Sequence, residues 1–390
     1  DFRLIQGKAH YFATFGESFP HKNDLLADSE KIISYISEYM GGMPYDHYTV
    51  INHFAAGLYG GLEHSDSTVL HFDGRTLGNR ENYLKYIELL SHEYFHTWNI
   101  KRIRPIELGP FDYTKENYTK LLWLAEGLTS FMDKLFVYQS GLCSLEEYLQ
   151  SFLGDIQKYY NTPGRNFDSL DSSSFDAWIK LYKPHENSNN QTISYYLKGG
   201  LVFFILNTYF KEQNISMKDF LQLLWNSYKN NTAHGLTYRE FFDMLEEFAG
   251  QEIADSFWNM VKTTQEIPLE QAFNKMGVSF EWRENNKPYF GANFEKTFEG
   301  PRVTSVVIDS PSFKNGLSVG DIILAVNNQS ISFEEIHKTD LFFNLTNTYE
   351  ITIKRLNQIT KIDFVFDRSP KELVKLKIGD KELCHQFLMT

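Results

Sequence analysis

Ser91-His92-Glu93-Tyr94-Phe95-His96-Thr97-Trp98-Asn99 is the stretch whose reading decides the rest of the chain. It contains His-Glu-x-x-His, and on a helix residues four apart share one face, so His92 and His96 can bring two imidazole nitrogens to one metal ion. Glu93 lies about 100° further round. There it stands beside a metal rather than on it and can take a proton from a water. The residues ahead of the motif, Asn82 to Leu90, contain no Gly or Pro and repeat their apolar members at helical spacing, which predicts a helix running into it. The plain alternative is an amphipathic helix carrying two surface histidines, so the remaining chain has to decide.

Working outward, the metal reading needs a third ligand, because a catalytic zinc centre takes three protein ligands and keeps one position for water. Glu126 is the candidate. It is the lone acid in an apolar helical stretch from Leu121 to Thr129. Apolar neighbours cover most of that helix, and an unpaired carboxylate buried there would cost several kcal/mol, so a cation partner is expected. A solvent-facing Glu is the alternative.

The flanking chain supplies a frame. Ala27 to Met40 reads as a helix stopped by Gly41-Gly42, and His47 to Phe54 as a strand leading to the glycine-rich segment Gly57 to His64. Leu121 to Tyr138 reads as a second strong helix. Ser216 with Asp219 and Thr237 with Glu240 are helix start signals, each followed by an apolar stripe. Residues 100–265 therefore read as mostly helical. Beyond Ile267-Pro268 short β-rich segments take over, at 302–308, 322–326, 349–354 and 362–366.

Composition limits the partners. A formal charge of −12 argues against nucleic acid, whose phosphates need a basic face. With only Cys143 and Cys384, neither a disulfide framework nor a cysteine-built zinc site organises the chain. No apolar run is long enough for a membrane span. A cytoplasmic location is the expectation, although the chain opens on Asp rather than Met and so reads as processed or truncated.

Four fragments in order carry a resemblance. His92 to Asn99 and Trp123-Leu124-Ala125-Glu126-Gly127-Leu128-Thr129-Ser130 resemble the glycyl aminopeptidase family, relatives of aminopeptidase N among the gluzincin metallopeptidases. Gly60-Gly61-Leu62-Glu63-His64 resembles the family's form of the Gly-x-Met-Glu-Asn element, and Tyr195-Tyr196-Leu197-Lys198-Gly199 its Tyr-x-Lys-Gly segment. The resemblance implies an α+β, thermolysin-like, mostly helical zinc peptidase domain holding one Zn2+ per chain on His92, His96 and Glu126. It implies that Glu93 acts as general base on zinc-bound water and that Tyr196 stabilises the oxyanion, with Tyr195 the alternative one position earlier. Glu63 would hold a substrate's free α-amine, with Gly61 and His64 beside it. The activity implied is that of a zinc metallo-aminopeptidase, a hydrolase removing N-terminal residues, Gly or Ala by preference, from peptides with a free N-terminus. Family members also carry a β-rich domain ahead of the catalytic one, and only about sixty residues precede Glu63, so the chain is expected to lack it.

In the second region Asn315 to Asn327, with its Gly-Leu-x-x-Gly-Asp core, resembles a PDZ domain. Tyr289-Phe290-Gly291-Ala292 would be its carboxylate-binding loop, receiving a peptide C-terminus as an added strand. The expected organisation is a catalytic domain over 1–270, a small β-rich PDZ domain over 280–370 and a C-terminal tail over 371–390. Three rival functions stay open: a zinc endopeptidase without need of Glu63, a non-peptidase hydrolase acting on another electrophile, and a PDZ-based peptide-binding protein with an inactive peptidase-like domain.

Overall fold

A computed structural model describes residues 1–17 and 24–389. Its first part is a five-stranded sheet backed by helices. Strands β1 (Phe2–Ile5) and β2 (Lys8–Gly16) form a hairpin, helix α1 (Leu25–Tyr39) follows, and β3 (His47–Phe54), β4 (Tyr59–Glu63) and β5 (Ser67–Phe72) complete a sheet of order β1-β2-β3-β5-β4. Strands β2, β3 and β5 run parallel, and β4 turns back antiparallel to β5 at the sheet edge. The alternating pattern of β3 buries Tyr48, Val50, Asn52 and Phe54 beneath the helices. The strand read from sequence at His47 to Phe54 is this one.

Helix α2 (Arg80–Phe95) begins where the Asn79 side chain accepts from Asn82 N–H, and it ends at His96. Tyr83, Tyr86, Ile87 and Leu90 on its inner face are buried, which fixes the side of the helix that His92 and Glu93 present. Residues Trp123–Gly127 form a π-turn, after which α3 (Leu128–Gln139) continues as an ordinary helix. This differs from the uninterrupted helix read from Leu121 to Tyr138. The cause is Asn99, whose amide donates to the Leu124 and Ala125 carbonyls and to Thr129 Oγ1, drawing those carbonyls off the helical ladder.

Further helices enclose the core: α4 (Leu145–Tyr160), α5 (Tyr195–Glu212), α6 (Met217–Asn230), α7 (Tyr238–Ala249), α8 (Gln251–Lys262) and α9 (Leu269–Lys275). The predicted start signals are present, with Ser216 and Thr237 capping α6 and α7. Gly127 meets Gly199 of α5 backbone to backbone, where an added Cβ at Gly127 would lie 2.7 Å from the Gly199 Cα. That close approach sets the π-turn directly against the start of α5, and so sets Glu126 beside Tyr196.

The second unit has its own core of Phe290, Val303, Leu317, Ile323, Ile351, Ile353, Phe364 and Phe366. Strand β6 (Val278–Tyr289) leads into β7 (Ala292–Lys296), β8 (Pro301–Val306), β9 (Ile322–Val326), β10 (Thr348–Arg355) and β11 (Gln358–Val365), and β7 lies at one edge of this sheet. The Gly-Asp turn is held by Arg355, which donates from Nε and a terminal nitrogen to both oxygens of buried Asp321.

The expected boundaries need correction at the C-terminal end. Residues 371–389 are not a loose tail. Strand β12 (Asp367–Ile378) pairs with β6 as a two-stranded ribbon, and helix α10 (Lys381–Leu388) follows it. Leu373, Leu376, Cys384 and Leu388 are all buried in the core of the first domain. Tyr138 Oη and His385 Nδ1 meet at 2.7 Å, adding a polar latch. Both ends of the second unit thus return to the core of the first domain. Asn190 adds a bridge, donating to Val306 O at 2.7 Å and accepting from Ile308 N–H at 2.9 Å.

Candidate metal centre

Helix α2 and the π-turn bring three donors together. Glu126 Oε2 stands 3.2 Å from His92 Nε2 and 3.3 Å from His96 Nε2. The other ring nitrogens are already engaged. His92 Nδ1 lies 2.9 Å from Asp133 Oδ2, and His96 Nδ1 lies 2.7 Å from the Asn99 carbonyl. A carbonyl can only accept, so His96 Nδ1 carries the hydrogen and its neutral ring turns an Nε2 lone pair toward Glu126. Two imidazole lone pairs facing one carboxylate repel unless a cation lies among them. Without a metal a proton has to play that part. Burial pulls the His92 imidazole down, but its hydrogen bonds to Asp133 and Glu126 outweigh this and lift it to about 10. His96 is raised as well, the charge of Glu126 overcoming burial, and the two histidines hold Glu126 well below the usual carboxylate range despite its own burial. This donor set, two nitrogens and one carboxylate oxygen with every outer atom fixed, fits a zinc ion.

Glu93 sits beside the triangle. It is 5% exposed, and its Oε2 has no hydrogen-bond partner among the described residues. Burial raises its carboxyl above the ordinary value, against the pull of His96 and His92. Strand β4 walls this side. A Cβ at Gly61 would come 2.4 Å from the Glu93 carboxyl carbon, so only glycine leaves that carboxylate its place. Two residues on, Glu63 offers an oxygen that lies with a Glu93 oxygen and a His96 nitrogen in a cluster no more than 4.8 Å across. Glu63 is itself ion-paired to Lys101 at 3.0 Å.

Tyr196, not Tyr195, faces the centre. Its ring stacks on His92 at 6.3 Å, and its hydroxyl is raised by burial and by the nearby charge of Glu126. Tyr195 is 1% exposed, and burial and the nearby Tyr182 raise its hydroxyl. His64 is not brought in. Its N–H donates to Ser67 O to close the β4–β5 turn, and its side chain is exposed. At the second unit Phe290 is a core side chain packed on Phe294, Phe343, Phe364 and Phe366, so only its backbone is available to a ligand. Tyr289 closes β6, Gly291 turns at φ +71° with its carbonyl accepting from Val307 N–H, and Ala292 opens the edge strand β7.

Three residues at the centre had no role assigned from sequence: Asp133, Asn99 and Lys101. Asp133 follows Glu126 by seven positions, two helical turns on the same face, and that spacing is the signal that could have found it. Asn99 stood in the opening stretch, but its task of receiving His96 and shaping the π-turn depends on a tertiary contact.

The triangle sits on a helix-borne HExxH. The M61 glycyl aminopeptidase family model matches residues 85–202, and the PDZ domain model matches residues 275–363. The chain thus carries a segment similar to M61 glycyl aminopeptidases and, after it, one similar to PDZ domains. A crystal structure of an aminopeptidase N family protein from Idiomarina loihiensis shares the fold over 100% of this chain and 70% of that one, with TM-score 0.90 at 24% identity. An M1 zinc metallopeptidase from Deinococcus radiodurans is more distant, at 15% identity and TM-score 0.46 over 68% of this chain and 52% of its own. No curated protein matches the chain. Among the described residues no helix is long and apolar enough to cross a membrane.

Proposed function

We propose that this chain is a zinc-dependent aminopeptidase, with His92, His96 and Glu126 holding one Zn2+. The observation that carries the reading is the position of Glu63. In an extended peptide the α-amine nitrogen and the first carbonyl carbon are about 2.5 Å apart. An anionic anchor whose oxygen lies within 4.8 Å of Glu93 and His96 donor atoms leaves room for one residue between the amine and the reacting carbonyl. When bound, the ion supplies a Lewis acid that polarises that carbonyl and acidifies water.

The chain's own groups do the rest. Buried Glu93 accepts a proton on the unpartnered Oε2 and returns it to the leaving amine. The Tyr196 hydroxyl, kept protonated by burial, donates to the developing oxyanion. Asp133 and Asn99 hold the imidazoles in one orientation. Glu63 fixes which bond meets the centre. Small first residues such as Gly and Ala remain part of the proposal through the family likeness. A peptide C-terminus at the backbone of 289–292, extending along edge strand β7, is the role proposed for the second unit.

One observation favours an endopeptidase instead: Glu63 is already neutralised by Lys101. Matched peptides with free and N-acetylated termini decide between them. The aminopeptidase reading expects cleavage of the free peptide only, and a rise in KM on Glu63→Gln. Equal cleavage of both peptides would establish the endopeptidase.

A further inference from the structure

Phe175, Trp178, Ile179 and Tyr182 recur at the three- and four-residue spacing that shares one side of a helical segment, here Leu170–Phe175 followed by Ala177–Lys180. With Tyr118, which stacks on Phe175 at 5.1 Å, these side chains are 42% to 64% exposed, and Trp178 pairs with Tyr182 at 6.0 Å. The other side of the segment is buried through Leu170 and Ala177, so the exposed rings stand on an anchored support. Five large apolar side chains left outside the core along one segment mark a surface that receives something.

Three contacts fix this shelf against the candidate centre. Trp123, which opens the π-turn of Glu126, donates its backbone N–H to Ser174 Oγ at 3.1 Å, one residue before Phe175. Buried Asp168 accepts from Lys180 Nζ at 2.9 Å and from the N–H of Ile193 at 3.4 Å, three residues before Tyr196. Burial raises the hydroxyls of Tyr195 and Tyr196, and nearby Tyr182 adds to the rise at both. The shelf thus adjoins the Tyr196 side of the triangle, away from the amine anchor. Glu63 clusters with Glu93 and His96, whereas Tyr196 stacks on His92. A peptide held by its amine at Glu63 fills that span with its first residue. The chain beyond the reacting carbonyl then leaves past Tyr196 and over the exposed rings.

We propose that Tyr118, Phe175, Trp178, Ile179 and Tyr182 form the subsite for the residue after the cleaved bond, and that this subsite favours an aromatic side chain. The proposal rests on the aminopeptidase reading and deepens it: a small first residue fits the short span at Glu63, and selection among such peptides falls to the second residue. An aromatic side chain gains apolar burial and ring contacts on this surface. Lys180, the cation on the segment, is ion-paired to Asp168 and Asp176 and so leaves the shelf without an unpaired charge to attract an acidic residue.

The test compares peptides that begin Ala-Phe or Ala-Ser, are otherwise identical and have free N-termini. The zinc-loaded chain is expected to cleave the Ala-Phe peptide about ten times more efficiently in kcat/KM, a difference of ~1.4 kcal/mol. Trp178→Phe should keep the preference, and Trp178→Ser combined with Ile179→Ser should bring it within about twofold. Calorimetric binding of the same two peptides to Glu93→Gln, with and without the paired serine substitutions, should follow the same order. Equal efficiency toward the two peptides in the parent, or a preference that survives the paired substitutions, overturns the inference. So does stronger discrimination when Phe and Ser are compared at the first position instead of the second. Absence of turnover for every free peptide, together with Phe-selective binding lost on the paired substitutions, overturns the aminopeptidase reading and leaves the shelf standing as a peptide subsite.

Discussion

Gly61→Ala tests how closely the edge strand governs the general base. The backbone at Gly61 is outside the left-handed region, so alanine fits the strand without strain. What it meets is Glu93. The added Cβ would stand 2.4 Å from the carboxyl carbon, Cγ and Oε1 of that side chain, about 1 Å short of ordinary contact at 3.4 Å. Glu93 is buried and has to move by that amount, or β4 has to lift from β5. A 1 Å misplacement of a reacting group costs ~10²-fold in rate, equivalent to ~2.7 kcal/mol of barrier. The metal triangle is not touched, because Glu93 is not one of its members. The expected outcome is kcat lowered about a hundredfold with zinc content and thermal midpoint near those of the parent, measured by steady-state kinetics, metal analysis and calorimetry. A variant that keeps its kcat within threefold of the parent while fully loaded would refute the placement of Glu93.

Two further predictions concern the centre's support. Asp133→Ala should weaken zinc binding ~10- to 100-fold in a chelator competition, because His92 loses the acceptor that fixes its ring. Glu88 tests the pH dependence of stability. Burial lifts its carboxyl to about 7, with Lys134 opposing and Asp133 adding to the rise. A carboxyl raised in the folded state favours folding at low pH, fully so below its unfolded value of ~4.3, and that contribution fades as pH climbs through about 7. Urea unfolding should therefore show the parent losing at most ~3 kcal/mol between pH 4.5 and 8 relative to Glu88→Gln.

How far the sequence discloses this arrangement depends on whether a contact is local. His92 and His96 are set by helical spacing alone, and Glu126 by the oddity of one acid in an apolar stretch. Strand β3 and the caps at Ser216 and Thr237 are equally local, and all appear in the structure where the pattern puts them. The π-turn was hidden because it is imposed from outside by Asn99. The choice between Tyr195 and Tyr196 was hidden too. Adjacent positions on a helix differ by 100°, and only the Gly127–Gly199 contact fixes which one turns to Glu126. The docking of 371–389 escaped notice because Leu373, Leu376, Cys384 and Leu388 are too few and too widely spaced to announce a buried face. Lys101 stands in a short basic run, and nothing in its neighbours points across the cleft to Glu63.

Zinc titration of the metal-free chain tests the central claim most directly. The account predicts one tightly bound ion per chain, retained by Glu93→Gln and lost from Glu126→Ala. Stoichiometric tight binding that survives Glu126→Ala would contradict it.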